Sequence, residues 1–223
     1  MNETSLAGKM QRSIGLLGIS GSLRRAAAST PILRTVAKRM PADATLTLRP
    51  LGDIPLYNED EARPEALAAV ETFKREIAAA DGLIVISPEY NHGISGVLKN
   101  AIDWASRPGY DGVLKNKPIL VMSSATSPLG GARAQLQLRE LFASTLSRVV
   151  ARRQIVIGQT GRKIQDGELT DAATLAFIDD GVGDLIDEIM LLGNIRTPSR
   201  GSLMRPSGSA SVTPAPIATT AGH

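Results

Sequence analysis

Residues 83–104 read LIVISPEYNHGISGVLKNAIDW, and the change of period inside this stretch decides the fold. Leu83–Ile86 is a short run of aliphatic and β-branched residues bounded by Asp81-Gly82 and Ser87-Pro88. That pattern reads as a strand buried on both faces. From Ser95 the apolar residues recur at helical spacing: Val97, Leu98, Ala101, Ile102 and Ala105 form one stripe, with Lys99, Asn100 and Asp103 on the wet side. The order is strand, loop, helix, so the loop Pro88–Ile94 lies at the carboxyl end of a buried strand. Open α/β sheets bind ligands there. Pro88, Glu89, Tyr90 and Asn91 offer backbone N–H groups, an aromatic face and side-chain acceptors to a planar heterocycle. Taken alone, the loop fits a ligand site and a plain βα connection equally well.

Working outward, the same alternation recurs. Ile14–Ile19 reads as a first buried strand, Thr45–Leu48 as a second, Pro118–Met122 as a fourth and Gln154–Ile157 as a fifth. Helices are expected from about Thr30-Pro31, with Ser29 or Thr30 as N-cap, and over Glu65–Ala79. A further helix from Ala132 to about Leu146 carries Leu136, Leu138, Leu141 and Phe142. The last opens on Asp171 as N-cap and carries Leu175, Ile178, Val182, Leu185, Ile186, Ile189 and Leu192. Five strands alternating with helices imply a parallel sheet with right-handed crossovers. The natural order is 2-1-3-4-5, that of a flavodoxin-like three-layer α/β sandwich. It puts the topological switch point between strands one and three, beside the loops at Ser20 and Pro88.

Composition sets limits. The chain has 223 residues, 43% of them hydrophobic but only 3% aromatic, so the core must be aliphatic. There is no cysteine, which excludes disulfides and thiolate chemistry and agrees with a cytoplasmic location. No run is long enough to span a membrane, and no long apolar region of the kind a secretory signal needs follows Lys9 and Arg12. The net charge of +3 comes from Arg196, Arg200 and Arg205; up to residue 194 there are 22 basic residues against 22 acidic. A neutral body argues against nucleic-acid binding. Residues 1–12 are expected to be a disordered leader, 13–194 the folded domain, and 195–223 a disordered Pro/Ser/Thr-rich tail.

Two further loops complete a candidate site. GISGSLRRAAAST, residues 18–30, links the first strand to its helix. Small residues let the backbone approach an anion, Ser22 and Ser29 supply hydroxyls, and Arg24 supplies a fixed positive charge. This reads as a monophosphate cradle or as a plain Ser/Gly turn; it is neither a Walker loop nor a GxGxxG fingerprint. SSATSPLGGARAQ, residues 123–135, follows the fourth strand, and Gly130-Gly131 would let its backbone pack closely on a flat ligand. His92 stands without an orienting partner. Glu89 serves equally as a base or as a structural hydrogen-bonding group. Neither a metal cluster nor a nucleophilic triad is visible, so no catalytic side chain and no metal ligand are assigned.

SPEYNHGISGVLKNAIDW closely resembles the signature of the NAD(P)H-dependent FMN reductases, the flavodoxin-like quinone, chromate and azo reductases. Gly21-Ser22-Leu23-Arg24 resembles the family's phosphate loop, and Asp53-Ile54-Pro55-Leu56-Tyr57-Asn58-Glu59-Asp60 matches too. The resemblance covers about residues 14–192. It implies that Ser22, Leu23, Arg24 and Ser29 hold the FMN phosphate. It gives the flavin ring to Pro88, Glu89, Tyr90, Asn91 and Ser124. Departures stand at Ala27, where a serine is common, at Ser29, where an asparagine is common, and at Ser127, where a glycine is common. The implied activity passes hydride from NADPH or NADH to FMN and on to a small acceptor: a quinone, free flavin, azo compound or metal oxyanion. The alternative is a flavodoxin-like electron carrier or an FMN-binding regulator without turnover. A homodimer or homotetramer is expected, with the 53–60 segment near the site rim or the subunit contact. Trp104 and Asn100 also match the family, and are expected to serve packing.

Overall fold

The third strand, β3 (Gly82–Pro88), is buried over its whole length and has a strand on each side. In the computed structural model, which describes residues 13–61 and 67–194, its side chains alternate between two cores. Leu83 and Val85 face one, Ile84 and Ile86 the other. The expectations for residues 1–12, 195–223 and Glu65 lie outside the described residues.

The sheet is parallel, with order β2-β1-β3-β4-β5. β1 (Ile14–Ser20) pairs with β2 (Ala44–Arg49) on one side and with β3 on the other, and β3 pairs with β4 (Pro118–Ser124). The flavodoxin-like order expected from the alternation is therefore present. Its fifth position is shared by two short segments, β5 (Arg148–Val149) and β6 (Ile155–Ile157), both parallel to β4. Between them Arg152 leaves the ladder. Its guanidinium lies 4.9 Å over the Phe177 ring and pairs with Asp184 at 2.7 Å. Gly181 makes the room, since a Cβ there would come within 2.5 Å of that guanidinium.

Helices cover both faces. α2 (Ala68–Ala79), α3 (Gly96–Ala105) and α4 (Ala132–Ser144) pack on the core containing Phe73, Ile102 and Phe142. α1 (Ser29–Lys38) and α6 (Ala172–Asn194) pack on the core containing Ile32, Ile86 and Leu185. Ser95 caps α3, its hydroxyl accepting the Leu98 N–H, and Asp171 caps α6, accepting the Thr174 N–H at 3.0 Å.

The start of α1 differs from expectation. Ala28 occupies the N-cap position with no side-chain cap, because both candidate hydroxyls are engaged elsewhere. Ser29 Oγ lies 3.4 Å from Ser124 Oγ, and the Thr30 hydroxyl donates to Ser20 Oγ at 3.1 Å. On α4, Leu136 is 59% exposed, and Ala134, Gln135, Leu138 and Phe142 form the buried stripe. A four-residue helix α5 (Thr160–Lys163) and a hairpin of β7 (Ile164–Gln165) and β8 (Glu168–Leu169) were not expected. The hairpin is fixed to α1 by the Leu169 N–H, which donates to Thr35 Oγ1 at 3.0 Å.

Candidate functional site

From neighbouring β1 and β3 the chain departs in opposite directions across the sheet, opening a crevice at their carboxyl ends. Gly21 lets the two loops meet there. Its N–H donates to Ile86 O at 2.8 Å, and a Cβ would stand 2.9 Å from Ser95 Oγ and 3.2 Å from Ser87 Cα. The second loop then turns back on itself. Tyr90 and Gly93 exchange two backbone hydrogen bonds at 3.0 Å across Asn91 and His92, both with positive φ (49° and 66°). That is the geometry of a tight two-residue turn, and asparagine tolerates it. The loop is held from α4, where Gln137 Oε1 accepts the Ile94 N–H at 2.9 Å.

The resulting cavity measures about 580 Å³. The first loop lines it with Arg24 to Ala28, the second with Pro88, Glu89 and Tyr90, and the third with Ser124 to Ser127. Arg24, Pro88, Glu89, Tyr90 and Ser124 therefore meet around one space. Ser22 lines a neighbouring crevice rather than this cavity, and its Oγ, 3.3 Å from the Tyr90 hydroxyl, ties the first loop to the second. Leu23 faces a neighbouring crevice and is 60% exposed. Ser29 is fully buried behind Ser124 and does not line the cavity. Asn91 sits at the exposed corner of the turn, and His92 beside it is exposed as well.

Glu89 has a defined partner set. Its Oε2 accepts the N–H groups of Arg133 at 2.9 Å and Ala134 at 3.1 Å. These are first-turn donors of α4 with no carbonyl of their own to reach. The carboxylate is thus a helix cap reaching across from the second loop. Gly130 and Gly131 (φ 62° and 84°) serve the protein backbone rather than the cavity. A Cβ on Gly130 would stand 2.7 Å from Gly158 N, and one on Gly131 3.1 Å from Ser123 Cβ. Ser127 is not among the residues of positive φ, so the loop is open to serine there without strain. Its carbonyl accepts the N–H groups of Gln159 at 3.0 Å and Gly130 at 3.3 Å.

Four lining residues escaped the sequence reading: Thr160, Gly161, Ile164 and Gly167, on α5 and the following hairpin. A signal existed. Asp166-Gly167 is a hairpin-turn dipeptide, and both residues have positive φ (50° and 78°). The 53–60 segment lies over α3, where Asn100 accepts the Tyr57 N–H at 2.7 Å and donates to Pro55 O at 2.8 Å. Trp104 Nε1 donates to the same carbonyl at 3.0 Å, and its ring meets Tyr57 edge-on with centroids 4.7 Å apart. Trp104 and Asn100 hold this strap, as the packing role expected of them requires.

The cavity fits FMN. At the first loop the N–H groups of Arg25 and Ala26 have no carbonyl acceptor among the described residues, and the exposed Arg24 and Arg25 add positive charge. Toward the second and third loops the walls are main chain, proline, tyrosine and small side chains, suited to a flat ring. Among the described residues no group of His, Asp or Glu is placed to hold a metal ion, and no helix is long and apolar enough to cross a membrane.

Comparison with known proteins agrees with this fit. The model of the NADPH-dependent FMN reductases matches residues 14–162. A quinone reductase of Escherichia coli (strain K12) is 36% identical over 170 residues, covering 74% of this chain and 90% of its own. An NAD(P)H-dependent FMN reductase of Pseudomonas aeruginosa is 42% identical over 131 residues, covering 59% of this chain and 70% of its own. Among solved structures, FerB, a flavoenzyme NAD(P)H:(acceptor) oxidoreductase from Paracoccus denitrificans, superposes with a TM-score of 0.70 at 29% identity. That match covers 80% of this chain and 98% of FerB.

Proposed function

The chain belongs to the NADPH-dependent FMN reductase family, and on that premise we propose that it is a quinone-reducing member whose 580 Å³ cavity at the switch point holds FMN. The observation that carries this reading is the convergence of three loops on one cavity with a cationic, N–H-rich end and a flat main-chain end. The chemistry that FMN supplies when bound is transfer of two electrons from a reduced nicotinamide to an acceptor. The protein's share is to bind and orient.

Ser22, Arg24 and the N–H groups of the first loop hold the phosphate. Pro88 to Tyr90 and Ser124 to Ser127 set the plane of the ring. The contact between Ser22 and the Tyr90 hydroxyl ties the first loop to the second and so fixes the two ends relative to each other. Orientation of this kind supplies a substantial share of a barrier reduction without any side-chain nucleophile. Glu89 acts by capping α4, which keeps the second loop in place. A small quinone is the acceptor supported by the Escherichia coli relative. Asn91, at the exposed turn corner, reaches the ring only if the turn bends inward on binding.

Exposed Leu129 and Leu136, on the third loop and α4, support a homodimer or homotetramer, which light scattering at micromolar concentration tests. A cytoplasmic location fits the lack of cysteine. Residues 13–194 form the reductase domain, and a chain ending at Asn194 is expected to keep its flavin.

The test is a visible spectrum after FMN is added and the excess removed, followed by NADPH and a benzoquinone. A retained flavin band that bleaches with NADPH and returns with quinone supports the reductase. A retained band that NADPH leaves unchanged transfers the reading to a carrier or regulator.

A further inference from the structure

Beside the cofactor cavity lies a second crevice of about 700 Å³, between the carboxyl ends of β1 and β2 and the first turns of α1. The two spaces share Arg24, Arg25 and Pro31 as walls, so they adjoin. The floor of the second is apolar: Leu33 and Leu51 are buried, and Leu48 is half-buried. Its rim is cationic. Arg24, Arg25 and Arg34 are exposed, and none pairs with a carboxylate among the described residues. No Asp or Glu lines the crevice. A fourth arginine, Arg49, is already engaged by Asp53 at 2.8 Å and Glu76 at 2.6 Å, so it builds the wall.

Three unpaired guanidinium groups around one space repel one another, and an anion relieves that repulsion. A guanidinium rim above an aliphatic floor suits an aromatic base joined to a phosphate. The fork takes phosphate oxygens two at a time, and the floor takes the base. We propose that this crevice receives the 2′-phosphoadenosine end of NADPH, with Arg25 and Arg34 on the 2′-phosphate. The identity of the ligand rests on the reductase reading, because it is the adjoining cavity that calls for a nicotinamide nucleotide. Arg24 faces both spaces and is left to the FMN phosphate. Thr30, one helical turn before Arg34, also lines the crevice, its hydroxyl donated to Ser20 Oγ at 3.1 Å.

The test is calorimetric titration of the full chain with adenosine 2′,5′-bisphosphate and with 5′-AMP, at saturating FMN throughout. The bisphosphate is expected to bind at least about tenfold more tightly, one charge-assisted contact's worth. Arg34→Ala and Arg25→Ala should each remove most of that ratio while moving the 5′-AMP affinity less than about twofold. Arg34→Lys should fall between, since it keeps the charge and loses the fork. A merely structural role would weaken both nucleotides together. Equal affinity for the two nucleotides, no binding of either, or a ratio that survives both alanine variants overturns the proposal. NADPH oxidation is read on the same wild-type preparation, and flavin retention after the excess FMN is removed from it. Their absence in the wild-type chain sinks the reductase reading, whereas a wild-type enzyme that has them without 2′-phosphate discrimination sinks only this inference.

Discussion

Replacing Glu89 separates two roles for the same carboxylate. Its Oε2 lies 2.9 Å from Arg133 N and 3.1 Å from Ala134 N, at the N-terminus of α4. A carboxylate at a helix N-terminus stabilises by about 0.3–1 kcal/mol through the helix dipole, and its charge-assisted bonds add to this. Glu89 is half-buried, so solvent weakens both contributions, and about 1–2 kcal/mol in total is reasonable. Glu89→Ala should therefore lower the unfolding temperature by roughly 2–8 °C, at about 2–4 °C per kcal/mol for a domain of this size. Glu89→Gln keeps an oxygen for the two donors and loses only the charge, so about half that shift is expected. Since the cap also fixes the second loop, FMN should bind up to about tenfold more weakly to the alanine variant and nearly normally to the glutamine variant. Turnover at saturating FMN should stay within about fivefold of wild type in both. The assays are thermal unfolding with and without FMN, flavin fluorescence titration and steady-state NADPH oxidation. A glutamine variant with an unchanged unfolding temperature and turnover lowered by about 10²–10⁴ would refute the capping role and make Glu89 a proton-transfer group.

Gly130→Ala puts a Cβ 2.7–2.9 Å from backbone atoms of Val156, Ile157 and Gly158 at a φ of 62°. Left-handed strain and overpacking should together cost about 2–4 kcal/mol, read as a lowered urea midpoint with loss of flavin retention. Asn100→Ala removes the acceptor of the Tyr57 N–H and one donor to Pro55 O. It should cost about 2 kcal/mol and expose the strap to proteolysis near Leu56, while the first-loop phosphate site is unaffected. Hydrogen bonds from the Thr174 hydroxyl and N–H, with Lys163 nearby, hold the Asp171 carboxyl below the usual carboxylate range. Its folded pKa is lower than its unfolded one, so its stabilisation is full above about pH 4 and is lost as pH falls through the folded value. Asp171→Asn should lie below wild type in urea midpoint at neutral pH, with the gap narrowing under acid below about pH 4.

What was legible in the sequence is what repeats along it. Buried parallel strands are continuous aliphatic runs, so Ile14–Ile19, Leu83–Ile86 and Pro118–Met122 announced themselves, and helical periodicity supplied the crossovers. The sheet order and the location of the three loops followed. The fifth strand was only half legible. Arg148–Val149 is two residues long, without an apolar run, and its break depends on Arg152 reaching across to Phe177 and Asp184 on α6. Side-chain destinations were the least legible. Ser29 and Thr30 have the chemistry of helix caps, but Ser124 and Ser20, distant or shielded in sequence, claim their hydroxyls. Glu89 looked equally like a base, because its donors lie more than forty residues further on.

This pattern bears on the three departures at Ala27, Ser29 and Ser127. The cavity is held by contacts that do not involve those side chains pointing inward. Gly21 packs on the end of β3, Gly130 on Gly158, Glu89 on α4 and Gln137 on the second loop. Ala27 is buried, its N–H on Arg24 O at 3.1 Å, so a hydroxyl there would have been one donor among several backbone N–H groups. Ser29 spends its hydroxyl on Ser124. Ser127 contributes its carbonyl, which any residue has. A cradle built from main chain depends on where the backbone runs more than on which small side chain it carries. The same reasoning fixes where substitution should matter: at the glycines and caps that set the backbone path, and at the unpaired arginines, whose charge no backbone group replaces.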